Sequence, residues 1–79
     1  GEIEHRDSTG THQFIKAGDV GFMTSGSGVT HTERTPSHQR NDKGYIYPNH
    51  GYQVWVALPK DKEEMSPRFD YIPKKEKNI

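Results

Sequence analysis

The stretch GVTHTERTP, residues 28–36, sets a histidine and a carboxylate two positions apart, His31 and Glu33. Val29, Thr30 and Thr32 around them favour extended backbone. On a strand, alternate side chains leave the same face, so His31 and Glu33 would project side by side. An imidazole and a carboxylate presented in this way make half of a transition-metal site, which takes three or four protein ligands. The chain has no cysteine, so the other half must come from histidine, aspartate or glutamate.

The remaining histidines read differently from one another. His5 lies in the tripeptide HRD, but neither the asparagine of a kinase catalytic loop nor a glycine-rich ATP loop accompanies it, so it reads first as a structural residue. His50 stands just before a strongly apolar segment and reads as a strand-end residue held by a backbone hydrogen bond. His12 and His38 read as exposed loop residues. Within this chain His5 and His50 are therefore the candidates for additional ligands. A symmetric dimer joining two His31/Glu33 pairs is the other route to a complete shell. The GSG at 26–28 lacks the lysine of a phosphate-binding loop and reads as a tight turn.

The elements that would position these residues are strands. EIEHR (2–6), HQFIKA (12–17) and VGFMTS (20–25) are short, strand-like runs separated by the turn clusters DSTG, GD and GSG. No helical period links them, and the fold class expected is all-β. Residues 36–49 are polar and loop-like, with a short strand expected at Tyr45–Tyr47. The segment GYQVWVAL (51–58) sets Tyr52, Val54, Val56 and Leu58 on one face and Gln53, Trp55 and Ala57 on the other. Apolar on both faces, it is expected to be a central strand covered on both sides. KDKEEM reads as a charged turn or short helical piece and RFDYI (68–72) as a last edge strand. Residues 1–73 are expected to form one partial domain, with 74–79 a charged, poorly ordered tail.

Composition bounds the rest. The 79 residues suffice for one small domain, and only 28% are hydrophobic. Such a chain is short of core and is expected to need a metal, a partner or a further segment. Eleven basic residues balance eleven acidic ones, which leaves no electrostatic footprint for nucleic acid or acidic lipid. No apolar run is long enough for a signal or membrane-spanning segment, so a cytoplasmic setting is the default expectation. The chain opens at Gly1, directly in strand-like sequence, which points to residues upstream.

Three segments resemble the pirins, a family of the cupin superfamily of small jelly-roll β-barrels. GEIEHRDSTG is similar to the family's G-x-x-x-H-x-D-x-x-G. AGDVGFMTSGSGVTHTE is similar to P-G-D-h-x-W-M-T-A-G-x-G-h-x-H-x-E, where h is apolar, and HGYQVWVALP to H-G-h-Q-h-W-V-x-L. Ala17 replaces the usual proline, Phe22 the usual tryptophan, and 38–49 looks like an insertion. The resemblance implies the later part of the first barrel of a two-domain bicupin. It implies iron or another divalent metal on four ligands. Two are histidines of an H-x-H-R-G strand, which would lie upstream, and two are the H-x-E pair, here His31 and Glu33.

The family role so implied is a metal-dependent dioxygenase that opens the ring of quercetin, or a metal-sensing regulatory cofactor. Glu33 would then be both ligand and catalytic base, and this chain alone is expected to be inactive. The alternative is a non-enzymatic β-barrel module that forms a homodimer or larger oligomer through exposed strands, with 51–58 at the interface.

Overall fold

The computed structural model describes residues 1–41 and 43–76. Seven strands are formed: β1 (Ile3–Asp7), β2 (His12–Ile15), β3 (Val20–Thr24), β4 (His31–Arg34), β5 (Arg40–Asn41), β6 (Gly44–Tyr45) and β7 (Arg68–Ile72). The helical pieces are single 3-10 turns at Ser37–Gln39, Lys60–Lys62 and Lys74–Glu76. The all-β expectation holds, in agreement with a partial cupin. Among the described residues no helix is long and apolar enough to cross a membrane.

The strands form three antiparallel sheets, β2-β1-β4, β3-β7 and the small hairpin β5-β6. The expected runs 2–6, 12–17, 20–25 and 68–72 each contain or overlap a strand. His12 opens β2 and is not a loop residue. The strand expected at Tyr45–Tyr47 is shifted to Gly44–Tyr45, where it pairs with Arg40–Asn41. The charged KDKEEM run begins as a 3-10 turn.

The segment 51–58 departs from expectation. It forms no strand, and Tyr52 is 91% exposed and Trp55 88%. A strand needs an edge to pair with and layers to cover it. Here β3 pairs with β7, no described strand takes up 51–58, and no described hydrophobic residue is buried to offer it a core. The radius of gyration is 14.3 Å, against about 12 Å for a compact chain of this length.

What joins the two larger sheets is aromatic and polar. Phe69 of β7 stacks on His5 of β1 with ring centroids 4.1 Å apart. Gly21 of β3 makes room for this approach, because a Cβ there would stand 2.8 Å from the Phe69 ring and 2.7 Å from Ile15. Gly26 (φ +52°) lets the next turn press against Met65, whose carbonyl accepts from the Ser27 N–H at 2.8 Å. Asp19, in the turn after β2, accepts from the Tyr71 hydroxyl at 2.6 Å and from the Lys16 and Lys74 N–H groups at 2.9 Å. That contact ties the residues just beyond β7 to the turn.

Among the described residues the fully buried ones are His5 and Pro36, and the Asp7 carboxylate is buried with His5. His5 Nε2 donates to Asp7 Oδ2 at 2.7 Å. Burial alone would raise the Asp7 pKa. The Thr9 hydroxyl, His5, and the Thr9 and Thr11 backbone N–H groups outweigh it and hold the carboxyl well below the ordinary aspartate value. A depressed folded-state pKa gives stability that is full above about pH 4 and lost as pH falls further toward the folded value. Asp7→Asn is expected to cost about 2 kcal/mol near neutral pH. It should also make stability fall less steeply below pH 4 than in the wild type. Urea unfolding at pH 7, 5 and 3 tests this, and parallel acid losses in both proteins would contradict it.

Candidate metal centre

The site is built by the pairing of β1 with β4. Its antiparallel register sets His5 opposite Glu33 and Asp7 opposite His31. All four residues are therefore on one face of the β2-β1-β4 sheet, the face that meets Phe69. The local sequence explains why. His5-Arg6-Asp7 and His31-Thr32-Glu33 are two runs of the same pattern, each with its chemically active residues at strand period.

Within this cluster the His5 imidazole is the hub. Its faces lie against Phe69 and, more loosely, His31, with centroids 5.8 Å apart and planes 24° from parallel. One ring edge is bound to Asp7. At the other, Nδ1 faces Glu33 Oε2 at 3.5 Å, longer than a hydrogen bond. Both His5 and the Asp7 carboxylate are 1% exposed at the side chain, whereas the Glu33 side chain is 38% exposed and His31 is exposed. The pair on β4 thus opens to solvent, while the pair on β1 backs it from inside.

The expected site residues do not all gather. His31, Glu33 and His5 are brought together. His50 lies in the irregular segment before 51–58, where its ring contact is with Tyr52 at 5.8 Å, and no strand follows it. His12 and His38 belong to the opposite side of the sheet. His12 Nε2 lies 2.6 Å from Glu4 Oε2, which also accepts from Arg6, and His38 Nε2 lies 3.0 Å from Glu2. The His12 and Arg6 contacts lower the Glu4 pKa.

Among the described residues no three histidine, aspartate or glutamate side chains already converge as a metal-binding group. Asp7 and Phe69 are the members of the cluster that sequence reasoning passed over. The signal for Asp7 was present, because H-x-D repeats the two-residue spacing that singles out H-x-E. Phe69 carries no such signal, since its place over His5 comes from the β3-β7 sheet.

Comparison with known proteins identifies the family. The pirin family model matches residues 1–56. A pirin-like protein of Caulobacter vibrioides is 46% identical over 71 residues, covering 90% of this chain and 23% of its own length. Pirin-1 of Arabidopsis thaliana is 34% identical over 83 residues, covering 99% of this chain and 26% of its own. The quercetin 2,3-dioxygenase of Escherichia coli K12 is 31% identical over 70 residues, covering 89% of this chain and 26% of its own. The chain thus spans about a quarter of the length of these relatives. No solved structure gives a significant match. The family match over residues 1–56 and relatives up to 46% identical over about 90% of the chain show that it belongs to the pirin family.

Proposed function

We propose that the chain carries part of the metal centre of a pirin-type, quercetin dioxygenase-like protein, with His31 and Glu33 as ligands. The observation that supports this most is the β1–β4 register. It presents an imidazole and a carboxylate on one face, accessible from solvent, with a buried imidazole behind the carboxylate. The donor set of nitrogen and oxygen suits iron, zinc or a similar divalent ion. When bound, such an ion would supply Lewis-acid or oxygen chemistry at the open face.

The chain's own residues then have distinct tasks. Glu33 is open enough to reach a flavonol hydroxyl and to take its proton, as well as to bind the ion. His31, one register position along β4, is a plain ligand. Asp7, held as an acceptor by Thr9 and Thr11, fixes His5 in place. By resemblance two further histidines belong to the family's site, so the 79-residue chain alone is expected to show no quercetin turnover.

Calorimetric titration with zinc and, without oxygen, with ferrous ion tests the assignment. His31→Ala and Glu33→Gln are each expected to weaken binding at least tenfold. Affinities equal to the wild type would reject the two residues as ligands, and quercetin turnover by the isolated chain would reject the expectation of inactivity.

The exposed segment 51–58 favours a second reading, a module that associates with a second copy of itself. Tyr52, Val54, Trp55 and Val56 are 68–91% exposed within a short run of the chain. Burying such side chains is worth about 1.5–3 kcal/mol each, so pairing of two copies through this segment has a strong driving force. Sedimentation at micromolar concentration is expected to show a dimer or larger species that Trp55→Asp shifts toward monomer. A monomeric wild type would remove this reading.

A further inference from the structure

The arginines of the chain are of two kinds. Arg6 is held by Glu4 at 2.8 Å and Arg68 by Asp70 at 2.7 Å. Among the described residues Arg34 and Arg40, both exposed, have no carboxylate partner and no side-chain hydrogen bond. These two line the same cleft, of about 430 Å³, together with Ile3, Glu33, Thr35 and Asn49.

The sheet explains why they meet there unpaired. β4 is the last strand of β2-β1-β4, and no described strand takes its far edge. Glu33 and Arg34 leave opposite faces of β4, and both border the cleft because it wraps the free end of that edge strand. Arg34 stands opposite Glu4 in the β1–β4 register, where an ion pair would be expected. Glu4 Oε2 is already engaged by Arg6 at 2.8 Å and His12 at 2.6 Å, and Arg34 is left over. Arg40 opens β5, directly after the turn whose Gln39 side chain accepts from the Glu2 N–H at 2.8 Å. Asn49 donates to the Thr35 hydroxyl at 3.2 Å, which fixes the remaining wall and leaves that hydroxyl its own proton to donate.

Arg34 and Arg40 against Glu33 leave the cleft with an excess of positive charge. A guanidinium is the side chain best shaped for two-pronged recognition of an oxyanion. The volume is in the range of small-molecule sites, about 300–1,000 Å³, and Ile3 gives it an apolar wall that an organic ligand would cover and a bare ion would not.

We propose that this cleft binds a small organic oxyanion, its carboxylate or phosphate held by Arg34 and Arg40 and its apolar body laid against Ile3. The site does not rest on the metal assignment, although Glu33 borders both. In the cleft the Glu33 carboxylate opposes an anion, whereas at the metal centre it would bind the ion.

NMR titration of the full 79-residue chain, without added metal, tests this with benzoate, phenyl phosphate and the neutral control benzyl alcohol. The two anions are expected to move the Arg34 and Arg40 Nε–H signals and the Ile3 methyl signals, and benzyl alcohol to leave them in place. The tighter of the two anions identifies the group the arginines read. Arg34→Gln and Arg40→Gln, with the fold checked by circular dichroism, are each expected to weaken binding about tenfold. Arg68→Gln, which removes the same charge from a paired arginine, should leave it unchanged. Glu33→Gln should tighten anion binding while weakening zinc binding, so the two assignments fail separately. The proposal would be overturned by no response to either anion, by equal binding of benzyl alcohol or by an equal loss in Arg68→Gln. Inorganic phosphate binding as tightly as phenyl phosphate, with Ile3 unmoved, would also overturn it.

Discussion

The pairing of His5 with Asp7 is the constraint on which the arrangement of this chain depends. Small domains normally organise their sheets around buried aliphatic side chains. Here no described hydrophobic residue is buried, and the inner position of the β2-β1-β4 sheet is filled by an imidazole. A polar ring is tolerated there only with its hydrogen-bonding atoms answered. Asp7 answers one of them, and the Thr9–Thr11 turn answers Asp7. The consequence reaches beyond β1. A one-residue slip of β4 would carry Glu33 and His31 to the outer face and leave His5 opposite the wrong side chains. Phe69, laid over the imidazole, then fixes where the second sheet can sit.

The strands of this core could be read from the residues because their signals are local. Alternation and the turn clusters DSTG, GD and GSG mark β1 to β4, and aromatic and branched residues mark β7. The chemistry of H-x-E could be read for the same reason, as strand period alone sets His31 and Glu33 on one face. What could not be read depends on partners distant in sequence. The 51–58 segment has the best strand composition in the chain, yet composition says only that a segment suits a covered position. It does not supply the edge or the covering layers, and the described residues do not provide them. His5 was legible as structural, but its closeness to Glu33 required the β1–β4 register. That register follows from which strand β4 chooses, not from either strand alone.

The two unusual features of the molecule are of one kind. Among the described residues a buried nitrogen lacks a partner on the inner face, and an apolar segment lacks a cover on the outside. Consistent local signals that end in unmet interactions differ from random poor packing. The relatives it matches are about four times as long as the stretch they share with it. Both places have residue types suited to burial or to ligand binding, so each is where a neighbour would add most.

The scarcity of apolar packing between β1 and β4 would couple any ligand binding there to folding. β1 and β4 pair through polar and charged residues, so their register is held with little help from apolar packing. A ligand held at the β4 pair would brace that strand in the register that sets it beside β1. Binding to the folded chain and not to the unfolded one stabilises the former by mass action. The stabilisation would be large relative to a domain with so little core, whose net stability is only a small difference between opposing terms. In that sense the metal would stand where other small domains place a cluster of leucines.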